Sequence, residues 1–537
     1  MFIGRERELK TLNTLYTSDR FQFAVIYGRR RVGKTALISE FIKDKESIFF
    51  TGVESNAKQN LDNFSRCILE YNTDIPMDSS FASFQAALEY VFALAKTKRI
   101  VLVIDEYPYV ARASKSLAST LQLLIDKNKD TSKLFLILCG SSMSYMEDHV
   151  LAYKAPLYGR RTAQLKIQPF DFFETCRYLN HFSNEEKALV YGFIGGTPQY
   201  LLQIDDQLSV EENIKNTHLN PASSIFEEPN NLLKQEVREP PIYNAIITAI
   251  AMGYSKMNEI VTKVGENSSV CTSYLKNLIT LGLVKKETPY GEKNSRKTIY
   301  AIEDNMFRFW YRFVPQNISI ISRGAADLAY RRIAPELPDY MGGVFEEICQ
   351  QYLWKLLLEG KCAVNFSDLG RWWGTNPKRK RQEEIDIMAT DRDTALFGEC
   401  KWTNENVDLG VLETLVTRSE LFPHQEKHFY LFAKSGFTKG CRQRAEELGN
   451  VSLVSFEDMM AESGSPEGDL FIAFSYCYYK ILLMIARAKH ISYLTAGENG
   501  VTLYPLKSRK DGPLPCKLPA CTTSPLPTTI TFPATRK

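Results

Sequence analysis

The sequence predicts an α/β protein built from consecutive units: a mostly parallel sheet covered by helices, a helical lid, three helices with a hairpin, and a second α/β unit. Three observations carry that prediction. Apolar runs alternate with helical patterns over residues 1–142, three short helical patterns precede a basic hairpin between 241 and 302, and "EEIDIMATDRDTALFGECKW" at 383–402 reads as two strands around a polar turn.

At 537 residues, with 44% hydrophobic and 12% aromatic content, the chain can bury several cores, so roughly two to four domains are expected. A net charge of +3 neither demands nor excludes nucleic acid. Any basic surface must be local, as in "NPKRKR" at 376–381. The 11 cysteines show no CxxC pair, which suits reduced thiols in a cytosol rather than a disulfide framework or a structural zinc. "MFIGRERELKTL" is charged from Arg5 onward and lacks the apolar stretch of a secretion signal, so a cytoplasmic protein is expected. "LFIAFSYCYYKILLMIA" at 470–486 is short for a bilayer span and is interrupted by Lys480, which favours a packed helix or strand pair over a membrane segment.

Taken in order, "FQFAVIY" (21–27), "SIFFTG" (47–52), "RIVLVIDE" (99–106) and "KLFLILCGSS" (133–142) are apolar enough to be strands covered on both faces, with helices between them. Residues 1–167 form this core and 168–237 a helical lid and linker ending in "FEEPNNLLKQEVREPP". Residues 238–305 hold three helices and a hairpin with its tip near Gly291, the pattern of a winged helix. "MFRFWYRFV" begins a connector over 306–340, the last α/β unit spans 341–460, and the Pro- and Thr-rich tail, 461–537, is expected to be poorly ordered.

"GRRRVGKT" fits G-x-x-x-x-G-K-[ST] between a strand and a helix. Gly28 and Gly33 let the loop curl, so that the backbone N–H groups of Gly28, Arg29, Arg30, Arg31, Val32 and Gly33 surround phosphates at a helix N-terminus. Lys34 is expected to hold the β and γ phosphates of ATP, and Thr35 to ligate Mg²⁺. Asp105, ending an apolar strand, joins the Mg²⁺ shell, and Glu106 polarises an attacking water, which argues for hydrolysis. Ser141 and Ser142 end the next strand, where a hydroxyl either senses the γ-phosphate or caps a helix. Arg160 and Arg161 are arginine-finger candidates or a solvated pair.

In the carboxyl-terminal hairpin, a turn centred between Arg392 and Asp393 sets Asp386 opposite Glu399, and Lys401 falls on the same face. Two acids can hold Mg²⁺ or Mn²⁺ while a lysine orients or helps deprotonate a water for attack on phosphate. The bland alternative is a solvated hairpin. His424 and His428 have helical spacing and read as a solvated helix surface. In the three-helix unit, Ser269, Thr272, Ser273, Lys276 and Asn277 are candidate DNA contacts from the third helix, with Lys293, Arg296 and Lys297 on the wing; protein docking is the alternative use.

"FIGRERELKTL", "GRRRVGKTALI", "LVIDEYPYV", "CGSSMSYM", "PLYGRRT" and "GGTPQYL" resemble the archaeal-type ATPase family, close to the AAA+ and STAND groups, over about residues 1–205. The resemblance implies a P-loop NTPase fold, a GRExEL box near the nucleotide, and a GGxP motif in the lid. Over roughly 300–458, "GGVFEEICQQYL", "RWWG", "EEIDIMA", "FGECKW" and "FAKSGFT" resemble the divergent PD-(D/E)XK, restriction-endonuclease-like domain that accompanies such ATPases. That likeness implies Glu346 as an accessory metal ligand beside the triad Asp386, Glu399 and Lys401. Expected partners are ATP, DNA and further copies of the chain in an ATP-dependent homo-oligomer. The expected function is an ATP-hydrolysing switch coupled to a metal-dependent nuclease-like domain, with a non-cutting regulatory ATPase as the alternative.

Overall fold

β1 (Gln22–Tyr27), β3 (Ile100–Asp105) and β4 (Leu134–Gly140) are buried at every position, as strands must be when helices cover both faces of a parallel sheet. With β2 (Ser47–Thr51) and β5 (Ala163–Lys166) they form one parallel sheet in the order β2-β3-β4-β1-β5. β5 was not anticipated: its four residues alternate between half-buried and exposed and offer no apolar run, and its place is set by pairing with β1 at the sheet edge. α1 (Glu6–Tyr16) packs against α2 (Lys34–Ile42), which begins directly after the loop following β1.

This computed structural model describes residues 2–72, 79–292, 296–461 and the backbone of 491–497 and 500–505. Contacts divide the chain into Met1–Met459 and Met460–Lys537. In the second unit, β13 (Ile491–Gly497) and β14 (Gly500–Pro505) pair antiparallel; the apolar stretch at 470–486 lies outside the described residues. Among the described residues no helix is long and apolar enough to cross a membrane.

Between β5 and the next strand pair the chain is helical. α3 (Leu117–Asn128) flanks the sheet, and α4 (Asn184–Ile194) and α5 (Glu228–Glu236) belong to the segment expected as a lid. α4 starts on a capping box, with Ser183 and Glu186 each accepting from the other's backbone N–H. α6 (Pro240–Ala251), α7 (Met257–Val264) and α8 (Ser268–Thr280) precede the antiparallel pair β6 (Val284–Glu287) and β7 (Ile299–Ile302).

The aromatic run expected to begin a connector is instead the start of α9 (Asn305–Ile321), a core helix packed on α4. Phe309 stacks among Phe193, Phe313 and Tyr340, and Trp310 Nε1 donates to the Phe226 carbonyl at 2.8 Å. A run this aromatic buries too much apolar area to serve as a solvated linker.

α10 (Leu337–Leu358) leads into a mixed sheet of order β12-β11-β10-β9-β8, made of β8 (Leu369–Asn376), β9 (Arg381–Asp391), β10 (Thr394–Lys401), β11 (Glu426–Ala433) and β12 (Val451–Ser455). β8, β9 and β10 pair antiparallel, whereas β10, β11 and β12 pair parallel. α11 (Leu409–Ser419) and α10 both pack on β9 and β10. His428 lies in β11 and His424 in the loop before it, so the helical reading of that pair is corrected: a spacing of four is also compatible with an extended strand and its approach.

Candidate functional site

The loop from Gly28 to Thr35 turns on two left-handed residues, Arg31 (φ 72°) and Gly33 (φ 87°). Gly28 is needed because a Cβ there would lie 2.4 Å from the Ile167 carbonyl oxygen. Lys34 is 6% exposed, and burial holds its ammonium below the ordinary lysine range. Its Nζ donates to the Gly28 and Arg29 carbonyls, both at 2.9 Å. Thr35 Oγ1 donates to Asp105 Oδ2 at 2.9 Å. Glu106 sits at φ 47°, and its carboxylate accepts from Ser141 Oγ at 2.9 Å. A buried ammonium directed at carbonyls, beside a hydroxyl–carboxylate pair, fits a polyphosphate and its divalent cation. Ser142 Oγ instead accepts from Arg112 at 3.1 Å.

The loop's side chains leave the phosphate position. Arg29, 4% exposed, pairs with Asp304, the N-cap of α9, and donates to Thr197 Oγ1 at 2.5 Å. Arg30 pairs with Glu236 at 3.2 Å and donates to the Tyr109 hydroxyl at 2.8 Å. Arg31 pairs with Glu228. Val32 is fully buried. The three arginines therefore fasten the loop to α5 and α9, which sequence spacing gave no means of finding. Arg160 pairs with Asp126 of α3 at 2.7 Å. Thr162 bonds to Phe23, so Arg160 lies by the amino end of β1, the opposite end from the loop. It cannot reach its own chain's phosphate site. Arg161 lies over the Tyr158 ring at 5.5 Å.

The β9–β10 ladder has the expected register, from Thr394↔Asp391 to Gly398↔Ile387, and ends one step before Asp386 and Glu399. There, β9 places three steps, Met388 to Ile385, against two on β8, Gly370 to Trp372. This bulge splays the strand and re-aims Asp386, whose Oδ2 accepts from the Cys400 N–H at 2.8 Å. Lys401 Nζ donates to Glu399 Oε1 at 2.7 Å, and Arg418 of α11 donates to Glu399 Oε2 at 3.1 Å and to Glu383 at 3.2 Å.

Burial, then the carboxylates Glu399 and Glu346, push the Asp386 carboxyl up to about 7. Burial also raises Glu346. For Lys401 burial works downward, but the Glu399 and Asp386 carboxylates outweigh it and hold the ammonium above its ordinary value. Among the described residues no group of three or more His, Cys, Asp or Glu stands ready to hold one ion. The expected ligand set of Glu346, Asp386 and Glu399 is therefore not assembled. Arg371 Nε lies 3.5 Å from Glu346, with Glu384 also on Arg371, and Glu399 is held by Lys401 and Arg418. The crowded carboxylates fit a divalent cation in charge; the side chains would have to exchange partners to fit it in geometry.

On α8, Ser269, Thr272, Ser273 and Lys276 are exposed. Asn277 is not free, since its amide donates to the Tyr243 hydroxyl at 2.6 Å. Lys297 pairs with Glu292 at 2.9 Å, Arg296 is exposed, and Lys293 lies outside the described residues.

A family model described as an ATPase domain predominantly from Archaea matches residues 2–204. A second, of archaeal and bacterial proteins of unknown function, matches residues 310–411. The uncharacterized protein MJECL04 of Methanocaldococcus jannaschii is 36% identical over 465 residues, covering 85% of this chain and 100% of its own length. The chain belongs to this archaeal ATPase family. The uncharacterized ATP-binding protein MJECL15 of the same organism is 23% identical over 53% of this chain and 92% of its own. Among solved structures, the Walker-type ATPase paby2304 of Pyrococcus abyssi covers 58% of this chain and 96% of that one, with 19% identity and a TM-score of 0.45. In this family member, Asp304, Arg371 and Arg418 shape the two candidate sites and went unseen in the sequence. Each lies far along the chain from its partner loop or on a different element, and no local spacing marks them.

Proposed function

We propose that this protein is an ATP-hydrolysing switch whose nucleotide state controls a metal-dependent, nuclease-like site acting on DNA. The observation that carries the reading is the grouping of Asp386, Glu399 and Lys401 beside the β9 bulge, with the Asp386 carboxyl raised to about 7 by burial and by the neighbouring Glu399 and Glu346 carboxylates. At the amino-terminal site, Lys34 and the loop N–H groups hold the phosphates, Thr35 and Asp105 hold Mg²⁺, and Glu106, once it gives up Ser141, orients a water. At the other, Asp386 and Glu399 would hold Mg²⁺ or Mn²⁺ with Glu346 as accessory. Such an ion, when bound, supplies positive charge at a phosphate oxygen. Lys401 keeps its proton on Nζ and positions the attacking water.

Polar contacts support a link between the sites: Arg29 with Asp304 at the head of α9, then Arg308 of α9 with Glu347 of α10 at 3.5 Å, next to Glu346. The test is cleavage of single- and double-stranded DNA with Mn²⁺, with and without ATP, comparing wild type with Asp386→Ala and Lys34→Ala. The expected result is loss of cutting in the first variant and, in the second, loss of ATP dependence with hydrolysis down on the order of 10²-fold. Intact hydrolysis with no cutting under any condition would overturn the nuclease reading. It would favour a regulatory ATPase that binds without cutting, the reading to which the Lys401 and Arg418 pairing of Glu399 lends support.

A further inference from the structure

The exposed face of α8 is where a winged helix would meet DNA, yet the carboxyl half of that helix is engaged within its own three-helix unit and borders the phosphate loop. Tyr274 bonds to Glu239, Asn277 to Tyr243, and Thr280 and Leu281 border a cavity of about 440 Å³ that reaches Gly28 and Arg29. A helix held this way cannot lie along a groove for its full length.

A separate cavity of about 550 Å³ opens between α7, the first turn of α8 and the hairpin. It is lined by Lys256, Lys286 and Arg296, with Thr262, Ser268 and Tyr300 between them, and no Asp or Glu lines it. Lys286 and Arg296 are exposed and form no ion pair among the described residues; Lys256 reaches only Glu259, at 3.7 Å. Tyr300 is 8% exposed, and its hydroxyl has no hydrogen-bond partner among the described residues. The first residues of α7 and α8, Met257 and Ser268, line the same space, adding the positive ends of two helices.

We propose that this cavity takes the phosphodiester backbone of a nucleic acid. Three cations without a counter-charge in the lining, a buried phenol and backbone donors from two helices match consecutive phosphates, and the exposed Ser269, Thr272 and Ser273 extend the polar surface beside it. The inference rests on the reading that the protein acts on DNA, and it moves the anchoring contacts from α8 to the α7–hairpin side.

The test is fluorescence anisotropy of a labelled duplex over a salt series. Each lost phosphate contact lowers the slope of log K against log salt by about 0.9. Lys256→Gln with Lys286→Gln should therefore flatten the slope by about 1.8 and weaken binding tens-fold near 0.1 M salt. Because Lys256 also begins α7, Lys286→Gln with Arg296→Gln is measured in parallel as a pair of exposed substitutions, and thermal melting confirms that each variant is folded. Thr272→Ala with Lys276→Gln, on the open face of α8, should flatten the slope by no more than about 0.9. If wild type binds but both cavity variants keep its affinity and slope, or if the α8 variant loses more than they do, the inference is overturned while the DNA-acting reading stands. If wild type binds neither duplex nor single strand at low salt, that reading fails and the inference with it.

Discussion

At the scale of single residues, Asp386 is the most exposed to test. Its carboxyl has an ordinary value of 3.8 and stands at about 7 in the folded protein. The folded form therefore keeps its proton over a range where the unfolded chain has lost it. Stability is full below the unfolded value and falls as pH rises through that window, by at most ~1.4 kcal/mol per pH unit, before levelling above about 7. Asp386→Asn removes the loss: its melting temperature should exceed wild type at about pH 8 and converge with it in acid. Calorimetry across that range checks this, and parallel curves for the two proteins would contradict it. On the proposed metal-dependent reading, Mn²⁺ affinity should rise with pH up to the same value, since a protonated carboxyl must release its proton to bind the ion. Gly196 offers a second test: a Cβ there would stand 1.9 Å from the Phe170 carbonyl oxygen, so Gly196→Ala should force the two segments apart and lower the melting temperature sharply.

At the scale of elements, the phosphate loop is tied to α9 by the buried Arg29–Asp304 pair. Removing one partner strands the other's charge, so Arg29→Met should destabilise by about 3–5 kcal/mol, whereas Arg29→Met with Asp304→Leu should recover most of it. Chemical denaturation of the single and double variants measures the coupling, and an additive double variant would deny it. The same pair shows what the sequence could disclose. β1, the loop and α2 were legible because strand, glycine turn and helix are local patterns, and the β9–β10 register was legible because the turn, with Arg392 at φ 52°, counts it out residue by residue. The bulge at Asp386 was hidden, since it arises from pairing with β8, whose aromatic "RWWG" did not read as a strand. β5 was hidden by its lack of an apolar run, and α9 was mistaken for a connector because its aromatic crowding has no clean period. Arg29 and Asp304 lie 275 positions apart, beyond the reach of any spacing argument.

At the scale of the whole molecule, Met1–Met459 behaves as one unit although it contains two sheets and the family match to the ATPase portion ends at residue 204. A fragment cut at 204 would carry the complete phosphate loop yet lose Glu228, Glu236 and Asp304, leaving Arg29, Arg30 and Arg31 without their carboxylates. It should fail to unfold cooperatively and should bind ATP far more weakly than the intact chain, a comparison that calorimetry and nucleotide titration can make. The distant clasp on the loop also sets an order of events during synthesis. While the ribosome is still adding the first three hundred residues, Arg29 has no Asp304 to meet, so the nascent chain cannot close its nucleotide pocket in final form. Competence for ATP is thereby deferred until the helix that leads toward the second sheet has emerged.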